Sequence, residues 1–187
     1  GNIGAGHHPV SIAFLNCLFL RLVFCYHGGM NDAEVLVIGP NLSMQYVHQL
    51  PRLRAGEVNR VRSTSLFAAG KGVNVCRALN LLSLKSHLLV FSGGCASDRM
   101  QSLMGREKLP VETIGMDAEL RVTNTILADE GVTEVIGQSP VITSREQERY
   151  LERLKELLNS RAWRGVIFTG TSPETGQTPS IYECIIE

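Results

Sequence analysis

Between Ala68 and Leu79 the chain reads AAGKGVNVCRAL, a lysine held between two glycines, then an asparagine, then a helical pattern. Gly70 and Gly72 have no β-carbon, so a ligand can approach the backbone closely there, and the N–H groups that open the following helix favour an anion. Lys71 adds a full positive charge, and the Asn74 amide can both donate to and accept from hydroxyl groups. These residue types in this order suit a cradle for phosphate and hydroxyl groups. A purely structural reading stands beside it, in which the glycines permit a tight strand-to-helix turn and Asn74 caps a neighbouring group.

The elements that would position such a cradle are legible on both sides. EVLVIG (34–39) is a short apolar run ending at Gly-Pro, as in a buried strand followed by a turn. The spacing predicts a helix from about Gly72 to Leu82 and a strand at HLLVFS (87–92), and that strand, helix, strand order implies a parallel α/β unit. A short helix is expected from Asp98 to Lys108, stopped before Pro110. RVTNTIL (121–127) and TEVIG (133–137) read as strands joined by a turn over Ala128–Gly131. The clearest helix runs from Arg145 to Trp163, with Leu151, Leu154, Leu157 and Leu158 on one face. Ser144 and Gln147 have the spacing of a capping box at its start. GVIFTG (165–170) is the next strand, and IYECIIE opens another helix.

With 187 residues, 44% hydrophobic and 19% charged, the chain has the composition of a globular domain with its own core. Lys+Arg and Asp+Glu both number 18, so there is no basic field of the kind that binds nucleic acid. The 5 cysteines form neither a C-x-x-C pair nor zinc-ligand spacing, and Cys76 and Cys95 read as buried packing groups. A reducing, cytoplasmic setting follows. The apolar run VSIAFLNCLFLRLVFCY (10–26) is shorter than the ~20 residues a spanning helix needs and contains Arg21, so a membrane partner is not expected. His7 and His8 have no further ligand at metal-binding spacing and read as a solvated pair.

Set together, these motifs resemble the phosphofructokinase B family, the ribokinase-like carbohydrate kinases. AAGKGVNVCRAL is similar to the family's first signature, and VLVIGPNLSMQ (35–45), GEVNR (56–60), FSGG (91–94), RVTNTIL, TEVIG and VIFTGTSPETG (166–176) follow in the family's order. GEVNR and TEVIG are most similar to the 1-phosphofructokinase and tagatose-6-phosphate kinase branch. The resemblance covers roughly residues 34–187. It leaves 1–29 as an unmatched leader, with Met30 as the expected natural start and 30–187 as the N-terminal part of a kinase domain. The implied fold is α/β: a ribokinase-like three-layer sandwich with a mostly parallel sheet, C-terminally truncated, and a small β lid from segments near 45–67 and 112–137. A sheet ending after GVIFTG is expected to leave a bare edge.

The resemblance implies a substrate site of Gly70, Lys71, Gly72 and Asn74, with Arg121 taking the sugar phosphate and Gln45 standing where many members hold sugar hydroxyls through an aspartate. Arg60 and the Thr169-Gly170-Thr171 loop are secondary candidates. Ala69, Ser83 and Ser97 replace family glycines. The family's G-A-G-D segment, which supplies the catalytic aspartate, has no counterpart here, so the catalytic base is expected beyond Glu187. The implied reaction is transfer of a phosphoryl group from ATP, with Mg2+, to a hydroxyl of a ketohexose phosphate such as fructose 1-phosphate or tagatose 6-phosphate, in a homodimer formed through the lid. The alternative is a truncated, non-catalytic remnant or sugar-phosphate-binding module.

Overall fold

A computed structural model of the chain describes the backbone of residues 12–17 and 20–25, and then residues 34–175 and 180–186. The His7–His8 pair and Met30 lie outside the described residues. A hairpin of β1 (Ile12–Cys17) and β2 (Leu20–Cys25) falls within the expected leader. Next come β3 (Val35–Ile38), β4 (Ser43–Gln49), β5 (Ser63–Ala69), α1 (Lys71–Leu81), β6 (Ser86–Gly93), α2 (Ser97–Arg106) and β7 (Val111–Met116). The order continues with β8 (Arg121–Ala128), β9 (Gly131–Ile136), β10 (Val141–Ile142), α3 (Ser144–Ser160), β11 (Gly165–Phe168), β12 (Glu174–Thr175) and α4 (Ile181–Ile186).

β11, β3, β6 and β7 form a parallel sheet in that order. β3, the middle of β6 and β11 are nearly continuous apolar runs because both faces are covered, whereas β7 at the sheet's end is only half-buried. Leu36, Val37, Ile38, Leu88, Leu89 and Phe91 are fully buried, each worth roughly 1.5–3 kcal/mol of apolar burial. The alternation along β6 shows the two covers. Leu88 reaches Gly72 of α1, whereas Phe91, of opposite parity, stacks on Tyr150 of α3 with ring centroids 4.6 Å apart. The Tyr150 hydroxyl donates to the Leu89 carbonyl at 3.0 Å, which satisfies the one polar atom that side chain buries. Helix, sheet and helix therefore make the three expected layers. β11 is the end strand of this sheet, and β2 lies near it without pairing with it.

The second sheet has the order β5-β4-β8-β9, with β4 and β8 parallel and the outer pairs antiparallel. One boundary of the expected lid is corrected: β7 takes the start of the 112–137 segment into the central sheet, where it pairs with β6 after the α2 crossover. Only β8 and β9 from that segment join the second sheet, together with β4 and β5. The β8–β9 hairpin closes with Ala128 opposite Gly131, so Asp129 and Glu130 form the turn.

The capping box of α3 also sits one residue earlier than the sequence suggests. Thr143 is the N-cap, its hydroxyl accepting from the Glu146 N–H, while the Glu146 carboxylate accepts the Thr143 N–H at 2.6 Å. Glu146 prevails over Gln147 because it is buried and its other oxygen accepts the Asp117 N–H at 2.7 Å, fastening α3 to the loop after β7. Burial opposes the charge on Glu146, but these N–H donors outweigh it and hold the carboxyl below its ordinary value.

Candidate functional site

β3 is the first strand of the central sheet, and the chain leaves it to β6 on one side and reaches β11 on the other. Such a reversal of strand order opens a crevice at the carboxyl ends of the two strands. Residues 39–45 run through that crevice and meet each sequence-predicted part in turn.

Gly39 and Gly72 touch backbone to backbone: a β-carbon on Gly39 would lie 2.6 Å from the Gly72 Cα. This contact brings the start of α1 against the end of β3, and any side chain at either position would separate them. Gly70, at φ 122, is the N-cap of α1, and a β-carbon there would be 2.8 Å from the Asn41 carbonyl oxygen. Since Gly70 offers no side-chain oxygen and the first turn holds no acidic residue, the opening N–H groups of α1 keep their affinity for an external anion. Lys71 is the first helical residue and exposed. Gly170, at the end of β11, lies opposite, where a β-carbon would sit 3.5 Å from the Lys71 Cβ.

Asn41 joins the far sides of the crevice. Its Nδ2 donates to Ser139 Oγ at 2.7 Å and to Thr171 Oγ1 at 3.2 Å, linking residues up to 130 positions apart. Ser43 lies opposite Arg121 in the β4–β8 register, and its hydroxyl donates to the Arg121 carbonyl at 3.3 Å and meets Thr123 Oγ1 at 2.9 Å. Gln45 is two residues further along the same strand face, but its amide is engaged, donating to Thr125 Oγ1 at 2.8 Å. The predicted Gln45 is thus placed in a polar stripe of the second sheet.

Among the described residues, five buried side-chain atoms lack a hydrogen-bond partner, and four of them belong here: Asn41 Oδ1, Arg121 Nε, Thr169 Oγ1 and Ser172 Oγ. The fifth is Ser86 Oγ, at the opposite end of β6. Burial pushes the Arg121 guanidinium down from its ordinary value, with no carboxylate opposing that shift. Polar atoms orphaned in this way cost about 1–3 kcal/mol each unless something fills the site. Their mix of one cationic donor, hydroxyls and a carbonyl acceptor matches a ligand carrying both phosphate and hydroxyl groups.

Asn74 stands one turn into α1, exposed like Lys71, with its N–H bonded to the Gly70 carbonyl at 3.0 Å. Arg60 is exposed in the loop between β4 and β5. Of the cysteines, Cys76 is fully buried as expected, whereas Cys95 is exposed, its N–H and thiol turned towards the Glu119 carboxylate. That corrects the sequence reading of Cys95, whose apolar neighbours along the chain belong to β6 while the residue itself lies in the turn after it. Asn41, Ser139 and Thr171 are the contributors that residue types alone did not mark out. The Gly-Pro-Asn turn signals Asn41, but nothing local signals the other two.

A mostly parallel three-layer α/β domain, with a glycine-lysine-glycine helix start at its strand-order reversal and a half-buried arginine on the neighbouring sheet, has the architecture of phosphate-binding α/β domains. The pfkB family carbohydrate kinase pattern matches residues 32–169, and the chain belongs to that family. It is similar to the 1-phosphofructokinase of Bacillus subtilis, at 26% identity over 135 residues, covering 72% of this chain and 43% of that protein. The 1-phosphofructokinase of Borreliella burgdorferi is 27% identical over 133 residues, 71% of this chain and 42% of its own length. Among solved structures, a provisionally named phosphofructokinase from Staphylococcus aureus superimposes with a TM-score of 0.66 at 27% identity, over 78% of this chain and 46% of that one. The phosphofructokinase-2 of Escherichia coli, solved with substrates and products, gives 0.69 at 18% identity over 78% of this chain and 47% of its own, a likeness of fold alone. The chain therefore spans less than half the length of these relatives.

Proposed function

We propose that this chain supplies the sugar-phosphate side of a carbohydrate kinase site, and that the whole protein transfers a phosphoryl group from ATP to a hydroxyl of a ketohexose phosphate such as fructose 1-phosphate or tagatose 6-phosphate. The observation that carries the reading is Arg121, a half-buried guanidinium whose Nε has no partner, set on the same strand face as Ser43 and Thr123. A charged donor is withdrawn from water in this way when a ligand anion completes it. Arg121 would grip the phosphate already on the sugar, while Gly70, Lys71, Gly72 and Asn74 hold the other end and Asn41 and Gln45 orient hydroxyl groups.

Phosphoryl transfer rests on positioning and charge neutralisation, and these residues perform both on the acceptor side. When bound, ATP with Mg2+ would supply the transferred group. Among the described residues no cluster of three or more His, Cys, Asp or Glu could hold a metal ion, so no residue of this chain is assigned to the nucleotide or the metal. The base for the acceptor proton is likewise assigned to none of them. No described helix is long and apolar enough to cross a membrane, and a cytoplasmic location is part of the proposal.

The test is calorimetric titration of the chain with fructose 1-phosphate, tagatose 6-phosphate, inorganic phosphate and fructose. A ketohexose phosphate should bind more tightly than either of its halves. Arg121→Gln should weaken the sugar phosphate roughly 10- to 100-fold, the value of a lost charged hydrogen bond, and leave fructose unchanged. Equal weakening of both, or no binding of any sugar phosphate, would refute the assignment. A phosphotransfer assay on the same samples separates a kinase from a module that binds without catalysis.

A further inference from the structure

Arg77 lies outside the cradle, yet it connects three elements around it. Its Nη1 donates to Asn74 Oδ1 at 2.9 Å, its Nη2 to the Ala68 carbonyl at 2.7 Å, and its Nε and Nη2 grip the Glu107 carboxylate at 2.6 and 2.7 Å. Ala68 belongs to β5 just before the Gly70 turn, and Glu107 is the C-cap of α2. The two bonds to Glu107 form a planar fork that a lysine cannot reproduce, and they hold the Glu107 carboxyl below its ordinary value. Arg77 is thereby fixed in place with four donors used.

The consequence falls on Asn74. A guanidinium has no acceptor, so the atom of the Asn74 amide facing it must be the oxygen, and the Nδ2 group must face away. Side chains on a helix lean towards its N-terminus, so that NH2 group overhangs the turn of Gly70 and Lys71. We propose that Arg77 is a positioning residue that locks the Asn74 amide with its two N–H donors presented to the ligand, so that the atom recognised there is an acceptor: a phosphate oxygen, a carbonyl, or a hydroxyl offering its lone pair. The proposal rests on the sugar-phosphate reading above. It narrows that reading, since Asn74 taken by itself would serve a donor or an acceptor equally.

The test is a double-mutant cycle read by the affinity of the chain for fructose 1-phosphate and tagatose 6-phosphate, with thermal melts alongside. Asn74→Leu removes the donors and should weaken binding at least 10-fold. Asn74→Asp keeps an acceptor for Arg77 but has no N–H to present, and it should also lose at least 10-fold while melting no lower than the natural chain. Arg77→Met frees the amide to turn over and should weaken binding three- to tenfold. In the Asn74→Leu background Arg77→Met should then add less than twofold, because there is no amide left to orient; a merely structural arginine would weaken both backgrounds alike. Natural affinity in Asn74→Asp, or additive losses in the cycle, would overturn the positioning role while leaving the sugar-phosphate reading intact. Failure of the unmodified chain to bind any sugar phosphate would overturn both.

Discussion

Cys76 illustrates how burial converts a reactive group into a packing group. Its thiol is fully enclosed within the core that α1 covers, and burial pushes it from 9.0 to about 11. The folded chain thus holds this proton to higher pH than the unfolded chain does. Its contribution to stability is fully present below about pH 9 and is lost as the pH rises through 11. In full that difference is about 2.7 kcal/mol, of which about 2 kcal/mol is lost by pH 11. Urea melts at pH 8 and pH 11 should therefore show the natural chain losing about 2 kcal/mol more than Cys76→Ala. In the native protein a maleimide should label Cys95 and leave Cys76 untouched. Equal pH slopes in the two chains, or labelling of Cys76 without unfolding, would contradict this account.

Among the elements, the ends of α1 and α2 are built alike. Each helix is followed by a residue in the left-handed region, Ser83 at φ 57 and Lys108 at φ 54, where a glycine is the ordinary choice. The Leu84 N–H reaches back to the Leu79 carbonyl at 2.9 Å and the Leu109 N–H to that of Met104 at 3.0 Å, so these strained residues close satisfied helix ends. The three positions where family glycines are replaced then separate. Ser83 carries the strain, whereas Ala69 lies in β5 and Ser97 opens α2, neither at positive φ. Ser83→Gly should raise stability by about 1 kcal/mol, the cost of a left-handed non-glycine residue, and Ser97→Gly should not. Denaturant midpoints at constant m-value decide it; a loss of stability in Ser83→Gly would show that the serine side chain contributes more than its strained backbone costs.

For the whole molecule, the second sheet is the surface left to explain. β9 is an edge strand exposed at every position, with Val132 66%, Val135 54% and Ile136 58% exposed. An uncovered apolar edge invites pairing. The homodimer through the lid that the family resemblance implies would cover it. Sedimentation of the chain across the micromolar range should show self-association that Val135→Lys with Ile136→Glu reduces at least tenfold. A monomer throughout, or a dimer indifferent to both changes, would place the contact elsewhere.

The order and type of the elements were legible along the chain because they depend on local periodicity: Val-Ile-Leu runs for buried parallel strands, leucines on one face of α3, and a G-K-G-x-N turn where only glycine permits the approach of β3 and α1. The same locality explains the misplacements. Ser144 reads as the N-cap of α3 until Glu146 finds the Asp117 N–H across the domain and Thr143 takes that place, and β7 resembles a lid strand until α2 returns it to the side of β6. Family resemblance brought Arg121 and Gln45 into view, but their surroundings depend on partners scarcely fewer than 80 residues away along the chain. Chain proximity fixed which residues were available for the site. The strand-order reversal at β3 decided which of them meet, joining Asn41 to Thr171 and leaving the Arg121 Nε without a partner, because sheet topology sets distances between residues that no local pattern connects.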